Sequence, residues 1–416
     1  MNPHRQLQRR LGVFDATSIG LGSMLGAGVF AVFAPAAGLA GNYLVLAVVL
    51  AGAVAYCNAV ASAELAARYP SSGGTYVYGR ERLGEWPGFV AGWGFVTGKT
   101  ASCAAMALTF GQYVSPGYAV PVAVAAVAVL TAVNLFGITR TALLTRVLLG
   151  VVLATLAFVA AAAAMGPHAG ATGPGPGGPA TGGLGGVLPA AGLMFFAFAG
   201  YARIATLGEE VKDPARTIPR AILAALGAAF VIYVGLALLL QNHLPEGRLA
   251  ASAVPLLDAV RNSQLAAGAP LVQAGAAAAS LGALLALITG VGRTTLAMAR
   301  ERDLPSPLAR VGGRHTVPFV AEMAVAAVVI LLLLTTDVLT VVGFSSFGVL
   351  IYYAVANAAA YTLEEHPRHA PRWLNIAGFL SCLLLAFTLP SASVLGMAAV
   401  LALGVAGRRV VLRRRR

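Results

Sequence analysis

Long apolar runs separated by short polar gaps fill this chain from end to end. A helix needs about 20 mostly apolar residues to cross a bilayer. That template fits twelve times, at about 14–35, 43–67, 86–114, 119–136, 141–165, 188–208, 219–241, 270–298, 317–335, 338–362, 372–389 and 391–407. Only the turn around Pro390 parts the last two. The pattern predicts an all-α integral membrane protein of about 12 transmembrane helices. Between spans five and six, Gly166 to Gly186 is rich in Gly, Pro and Ala and reads as a flexible external linker. A second long external loop, about Asn242 to Gly268, has room for a short amphipathic helix.

Composition excludes most other classes. Of 416 residues, 58% are hydrophobic and only 10% charged, against about 25% charged in soluble domains. So few charges cannot cover a large water-facing surface, which removes a soluble enzyme. Disorder demands the opposite balance. The net charge of +13 would fit a nucleic-acid partner were it gathered with aromatic residues on one surface, but it is not. With the N-terminus inside, one set of loops carries Arg68, Arg80, Arg82, Arg140, Lys212, Arg216, Arg220, Arg300, Arg302, Arg310, Arg314, Arg368 and Arg372. The other carries Arg248 and Arg261. By the positive-inside rule both termini are cytoplasmic, including the basic tail 408–416. Arg5, Arg9 and Arg10 followed by an apolar run ending at Ala34-Pro35-Ala36 imitate a signal peptide. The run is longer than a signal core and many spans follow, so it is read as the first span.

Cys57, Cys103 and Cys382 lie inside apolar runs, and the six histidines fall outside them. Neither a disulfide framework nor a metal or cofactor site is expected. His366 and His369 read as a solvated loop.

Two spans carry sequences that disfavour an unbroken helix. Span one holds Gly20-Leu21-Gly22-Ser23-Met24-Leu25-Gly26-Ala27-Gly28, and span six holds Phe195-Phe196-Ala197-Phe198-Ala199-Gly200-Tyr201. Each Gly costs about 1 kcal/mol relative to Ala in a helix interior. One reading is close helix packing, for which Gly22-Ser23-Met24-Leu25-Gly26 fits the small-residue template. The other is a break. The two spans open two five-helix halves, and interruptions at equivalent places point to a midplane binding site in a secondary transporter. Freed N–H groups suit a carboxylate, and freed carbonyls suit an ammonium.

Four segments carry a resemblance over nearly the whole length. They are Gly20 to Phe30; Glu64-Leu65-Ala66-Ala67-Arg68-Tyr69-Pro70 onward to Tyr78; Phe195 to Tyr201 with Glu209-Glu210-Val211-Lys212-Asp213-Pro214 and Ile218-Pro219-Arg220; and Arg293 to Ala299 with Arg300-Glu301-Arg302-Asp303-Leu304-Pro305. In these the chain resembles the amino acid–polyamine–organocation superfamily of permeases. The resemblance implies a five-plus-five inverted repeat with broken helices one and six, plus two C-terminal helices. Repeat one would cover about 14–165, the linker 166–187, repeat two about 188–362 and the extra helices 372–407. It further implies that backbone groups of Met24, Ala27 and Gly28 meet a substrate carboxylate. Carbonyls of Phe196, Ala197 and Ala199 would meet its amine, with Ser23, Gly26 and Gly200 completing the two breaks. Phe198 would be an aromatic gate.

The chain departs from the family pattern in three places. Where many relatives carry a span-five Lys, this sequence has Val152. Where relatives often have an acidic residue after the span-six aromatic, it has Ala202. Where cation-selective relatives carry a span-three Glu, it has Gly98. Two other cations are buried instead. Lys99 lies 13 residues past Trp86, roughly 20 Å along a helix; a charge that deep marks a functional site by default. It is read as a proton-carrying or ion-substituting amine, a donor to freed carbonyls, or a snorkelling side chain. Arg203 lies three residues after Gly200 and stays charged. It could bind a carboxylate, hold carbonyls or form a gate pair, with Glu64, Glu209 and Glu210 as candidate partners. Ser280 and Thr289 in span eight could complete a sodium-like site, or cap their own helix.

The function expected is a secondary amino-acid transporter of the cell membrane, a proton-coupled symporter of a neutral or acidic amino acid working by alternating access. The alternatives are a polyamine or organic-amine carrier or exchanger, and a non-transporting receptor. The spans hold no catalytic constellation, so no enzyme is expected. The expected partners are a small amino acid, protons and the lipid bilayer, with no nucleic acid.

Overall fold

In the computed structural model, residues 11–69, 73–136, 142–166, 182–208, 210–312, 317–364 and 370–413 are described. Most of the external linker, Glu209, the His366–His369 loop and the final three arginines lie outside them. Among the described residues the protein is helical apart from turns and two isolated bridges. Nine of the described helical stretches are long and apolar enough to cross a membrane, and Phe319–Thr335 and Arg372–Thr388 are shorter apolar helices. Together with the 30-residue helix Glu85–Val114 they account for the twelve spans expected.

Span 1 is Val13–Met24 continued by Ala27–Ala31 and Phe33–Ala40; span 2 is Leu44–Arg68; span 3 is Glu85–Val114; span 4 is Ala119–Leu135; span 5 is Ala142–Ala164. Span 6 is Val187–Phe198, a tight 3₁₀ turn Ala199–Tyr201, then Ala202–Ala205. Spans 7 to 12 are Pro214–His243, Ala269–Arg300, Phe319–Thr335, Val338–Tyr361, Arg372–Thr388 and Ser391–Arg413. The Ala34-Pro35-Ala36 triplet sits in a helix whose Ala34 and Ala36 are buried.

Burial sorts the spans into an inner and an outer set. Of the nine long apolar stretches, spans 6 and 10 are the most enclosed, and spans 4 and 12 the least. Span 3 packs against spans 8 and 10, and span 2 against spans 7 and 10. The outer faces carry exposed Leu331, Leu334, Phe387, Leu395 and Leu403. Such side chains lose nothing against acyl tails, so apolar residues on that surface are the expected ones.

Two local features were not read from the sequence, and a third, the helical content of the outer loop after span 7, was read only in part. The segment between spans 2 and 3 forms a helix, Gly74–Leu83. Its start needs glycine, because Gly74 has φ of +56° and a Cβ there would stand 2.8 Å from the Tyr352 hydroxyl. The outer loop after span 7 holds two short helices, Glu246–Ala251 and Pro255–Arg261. Span 7 itself runs on to His243, which is buried with Nε2 2.9 Å from the Ala259 carbonyl oxygen. That histidine therefore belongs to the packed helix end rather than to a loop.

Close crossings through glycine fix how the inner helices are rotated. A Cβ on Gly94 would lie 2.9 Å from the Gly348 carbonyl oxygen, and one on Gly98 3.0 Å from that of Ser345. Spans 3 and 10 thus touch backbone to backbone. Ser102, one turn further along span 3, shares a 2.6 Å hydrogen bond with Ser345. Locked in this way, span 3 turns Lys99, Ser102 and Met106 toward spans 1 and 6.

Candidate functional site

The two breaks meet each other. Helix Val13–Met24 ends at Met24, and Gly26, with ψ of −147°, turns the chain before Ala27–Ala31 begins. The first N–H groups of a new helical segment have no partner within it. In span 6 the chain stays helical in φ and ψ but tightens into the 3₁₀ turn. Changing from one helical hydrogen-bond pattern to another leaves carbonyls that other donors can reach. Tyr233 of span 7 donates from its hydroxyl to the Met24 carbonyl at 2.6 Å, with the Ala197 carbonyl oxygen 3.2 Å away. Lys99 Nζ donates to the Ala199 carbonyl at 3.4 Å.

Glycine lets the breaks approach. A Cβ on Gly200 would stand 2.6 Å from the Met24 nitrogen and the Ser23 carbonyl carbon. One on Gly28 would stand 3.0 Å from Ala197 Cα, and one on Gly26 2.7 Å from Ala283 Cβ of span 8. The glycines read as helix breakers therefore also serve close packing. Both readings hold, each at its own positions.

Beside this junction lies a cavity of about 280 Å³. Its inner end is formed by Ser23, Lys99, Phe196, Ala199 and Gly200. Its lining continues through Arg203, Arg293 and Thr294 to Gly73, Tyr76 and Glu210, on the side of the basic loops. Beyond the break in span 1, on the other side of the junction, aromatic pairs pack edge-on. Phe30 meets Tyr113 at 5.5 Å and Phe33 meets Tyr233 at 6.4 Å between ring centroids.

Of the residues singled out in the sequence, Ser23, Phe196, Ala199, Gly200, Lys99 and Arg203 line this cavity. Met24, Gly26, Gly28 and Ala197 are buried at the junction behind it, and Ala27 lies in the same turn. Phe198 does not face the cavity. It is fully buried against Tyr233, at 4.9 Å between centroids, and against Phe230. Two residues apart on one helix, Phe196 and Phe198 point roughly 200° apart, and Phe196 is the aromatic that lines the cavity. Glu64 lies against Asn375 of span 11 and is not among the cavity-lining residues. Arg203 donates to Thr206 Oγ1 at 3.3 Å, and Glu210 lines the same cavity. The Thr289 hydroxyl donates to the Leu285 carbonyl of its own helix, and Ser280 is fully buried. Val152 is buried in span 5.

The sequence reading missed Tyr233, Arg293 and a charged cluster at the mouth. Asp303, almost fully buried, accepts from Arg80 at 2.9 Å, from Arg408 at 2.7 Å and from the Tyr76 hydroxyl at 2.8 Å. Burial and the Asp303 carboxylate push the Tyr76 phenol up from its ordinary value, so it remains a donor at neutral pH. Arg408 also reaches Glu85 at 3.2 Å and lies over the Trp86 and Phe89 rings, at 4.5 and 5.1 Å from their centroids. Because Tyr76 lines the cavity as well, the cluster ties its mouth to span 12.

Comparisons with known proteins agree on one family. A family model described as amino acid permease matches residues 11–403. An uncharacterized transporter of Mycobacterium tuberculosis (strain H37Rv) is 56% identical over 420 residues, covering 99% of this chain and 94% of its own length. The branched-chain amino acid permease of Bacillus subtilis is 26% identical, covering 90% and 85%. A vacuolar cationic amino acid transporter of Arabidopsis thaliana is 27% identical, covering 88% and 64%.

Proposed function

The chain belongs to the amino acid permease family, and from that premise we propose that it is a multi-pass, secondary active amino-acid carrier of the cell membrane. Its substrate sits at the junction of spans 1 and 6. The observation that carries this reading is the pair of interrupted helices meeting at Gly200 and Met24 beside a cavity open to one face. A zwitterion needs donors for its carboxylate and acceptors for its amine, and a junction of helix ends offers both from backbone. The N–H groups around Gly26 to Gly28 take the carboxylate, and carbonyls of the Ala197–Ala199 turn take the amine. Phe196 covers the side chain.

The positive-inside rule, applied to the basic loops, supports a cytoplasmic cavity mouth and cytoplasmic termini. On that orientation the conformation is inward-open, with the aromatic pairs Phe30–Tyr113 and Phe33–Tyr233 as the closed outer barrier. Alternating access then requires these pairs to part while the mouth at Tyr76 closes. A proton is the proposed coupling ion. Lys99, bonded to the span-6 turn that holds the amine, is the group through which protonation and substrate binding communicate.

Relatives carry names for branched-chain and for cationic substrates, so both classes belong in the test. Purified protein in liposomes should take up at least one labelled amino acid, and faster under an inward proton gradient. Uptake that needs preloaded substrate and ignores the gradient would make it an exchanger. Binding without uptake under any gradient would remove the carrier reading.

A further inference from the structure

We infer that the amino acid carried bears a second carboxylate on its side chain, and that Lys99 is the residue that selects it. This rests on the proposed substrate site and narrows what that site accepts.

Lys99 stands halfway along the 30-residue span 3 and is only 8% exposed. An ammonium so deep is costly unless it is paired. The pairing present is thin: one donor contact to the Ala199 carbonyl at 3.4 Å, for a group with three N–H donors. Among the described residues no carboxylate forms an ion pair with it. The ammonium nevertheless lines the cavity beside Ser102, Phe196 and Gly200. A protonated amine facing a ligand cavity, with no ion-paired carboxylate among the described residues, is completed by a ligand anion.

The rest of the cavity agrees in sign. Three cations line it, Lys99, Arg203 and Arg293, against one described carboxylate, Glu210. Glu210 also lines the neighbouring cleft together with Arg203 and Arg293, so the described charges around the cavity remain positive in balance. Low-dielectric walls lined by one sign of charge concentrate ligands of the opposite sign.

A substrate amine beyond the α-amine would face Lys99 with nothing to shield it.

The substrate's α-carboxylate and α-amine are held by backbone and are common to all amino acids. Selection falls on the side-chain end, and Lys99 keeps N–H donors beyond the one directed at Ala199 with which to meet it. Glutamate and glutamine have the same shape and differ only in that end, so their ratio isolates the contact. A charge-assisted hydrogen bond supports a preference of roughly tenfold to a hundredfold.

The test is uptake into proteoliposomes of glutamate, glutamine, aspartate, asparagine, leucine and lysine, by wild type, Lys99→Gln and Lys99→Arg. Wild type should prefer glutamate to glutamine by about tenfold or more in kcat/KM, and should move lysine poorly. Lys99→Gln should bring that ratio close to one, and Lys99→Arg should keep glutamate ahead. Glutamine or leucine moved as well as glutamate by wild type would overturn the inference and leave the carrier standing. So would a Lys99→Gln protein that kept the full preference. Should Lys99→Gln fail to fold, the wild-type ratio and Lys99→Arg still decide. Absence of uptake for every amino acid would instead overturn the carrier reading on which this inference rests.

Discussion

The Tyr233 hydroxyl lies 2.6 Å from the Met24 carbonyl oxygen, so a side chain of span 7 holds the end of the first half-helix of span 1. The same hydroxyl is 3.2 Å from the Ala197 carbonyl oxygen of span 6. One buried phenol thus serves both interruptions. Replacing it leaves two carbonyls in a dry interior, at a cost of about 1–3 kcal/mol for a buried unsatisfied group. Tyr233→Phe keeps the ring and its contacts with Phe33 and Phe198 and removes only the donor. The variant should accumulate in the membrane, melt at a lower temperature in detergent and transport several-fold more slowly. Unchanged uptake would show that the phenol is a packing residue alone.

Glycine at the junction is predicted to be irreplaceable, whereas glycine elsewhere is not. Gly200→Ala would force its Cβ to within 2.6 Å of the Met24 nitrogen, and backbone on both sides has no flexible end to yield. The breaks must part, and substrate binding should be lost. Gly227 and Gly235 of span 7 have nothing within 4 Å of an added Cβ. Alanine there should leave uptake intact and add up to about 1 kcal/mol of helix stability. Uptake by the three variants, each scaled to protein in the membrane, separates the two cases.

The spans were legible because lipid imposes a length and a polarity on each one, and Leu44–Arg68 or Val338–Tyr361 satisfy both within a residue or two. The breaks were legible because glycine clusters there. Which side chain faces inward was not. Phe196 and Phe198 are two residues apart on a helix that tightens between them and the cavity floor, and only packing against Phe230 and Tyr233 decides their directions. The helix Gly74–Leu83 was hidden for a related reason. Its sequence Gly-Thr-Tyr-Val-Tyr-Gly-Arg-Glu-Arg-Leu shows no apolar stripe, and it is fixed from outside by Tyr352 and Asp303. Tyr233 and Arg408 escaped notice because their partners are far along the chain, 209 residues in the case of Met24 and 105 in that of Asp303.

A buried amide pair ties span 2 to span 10. Asn357 Nδ2 donates to Asn58 Oδ1 at 2.6 Å, and both residues are fully buried. Removing one partner leaves the other with a single weaker contact, Asn357 to the Tyr353 carbonyl or Asn58 to Cys382, while removing both leaves neither amide half-paired. Asn58→Leu and Asn357→Leu should each destabilise the protein by about 1–3 kcal/mol, and the double variant by less than their sum. Melting of the four proteins in one detergent gives this coupling directly. Strict additivity would mean that the amides do not depend on each other.

The strongest stability effect is expected at Arg408. Its side chain and that of Asp303 are each only 3% exposed, and they meet at 2.7 Å. Breaking a buried ion pair from one side costs about 3–5 kcal/mol, because the remaining charge is left without compensation. Asp303 would keep Arg80, which moderates the loss, but the Trp86 and Phe89 faces would also lose the guanidinium stacked on them. Arg408→Lys preserves the charge but neither the two-pronged reach to Asp303 and Glu85 nor the flat contact with the rings. It should recover only part of the stability lost in Arg408→Ala. The exposed pair Arg216 and Asp213, at 3.8 Å, provides the contrast, since such pairs contribute about 0–1 kcal/mol. Arg216→Ala should melt with wild type. Equal melting of Arg408→Ala and Arg216→Ala would mean that span 12 does not hold the cavity mouth. A large loss in the first alone would mark this helix, outside the two five-helix halves, as the support on which Tyr76 and the mouth depend.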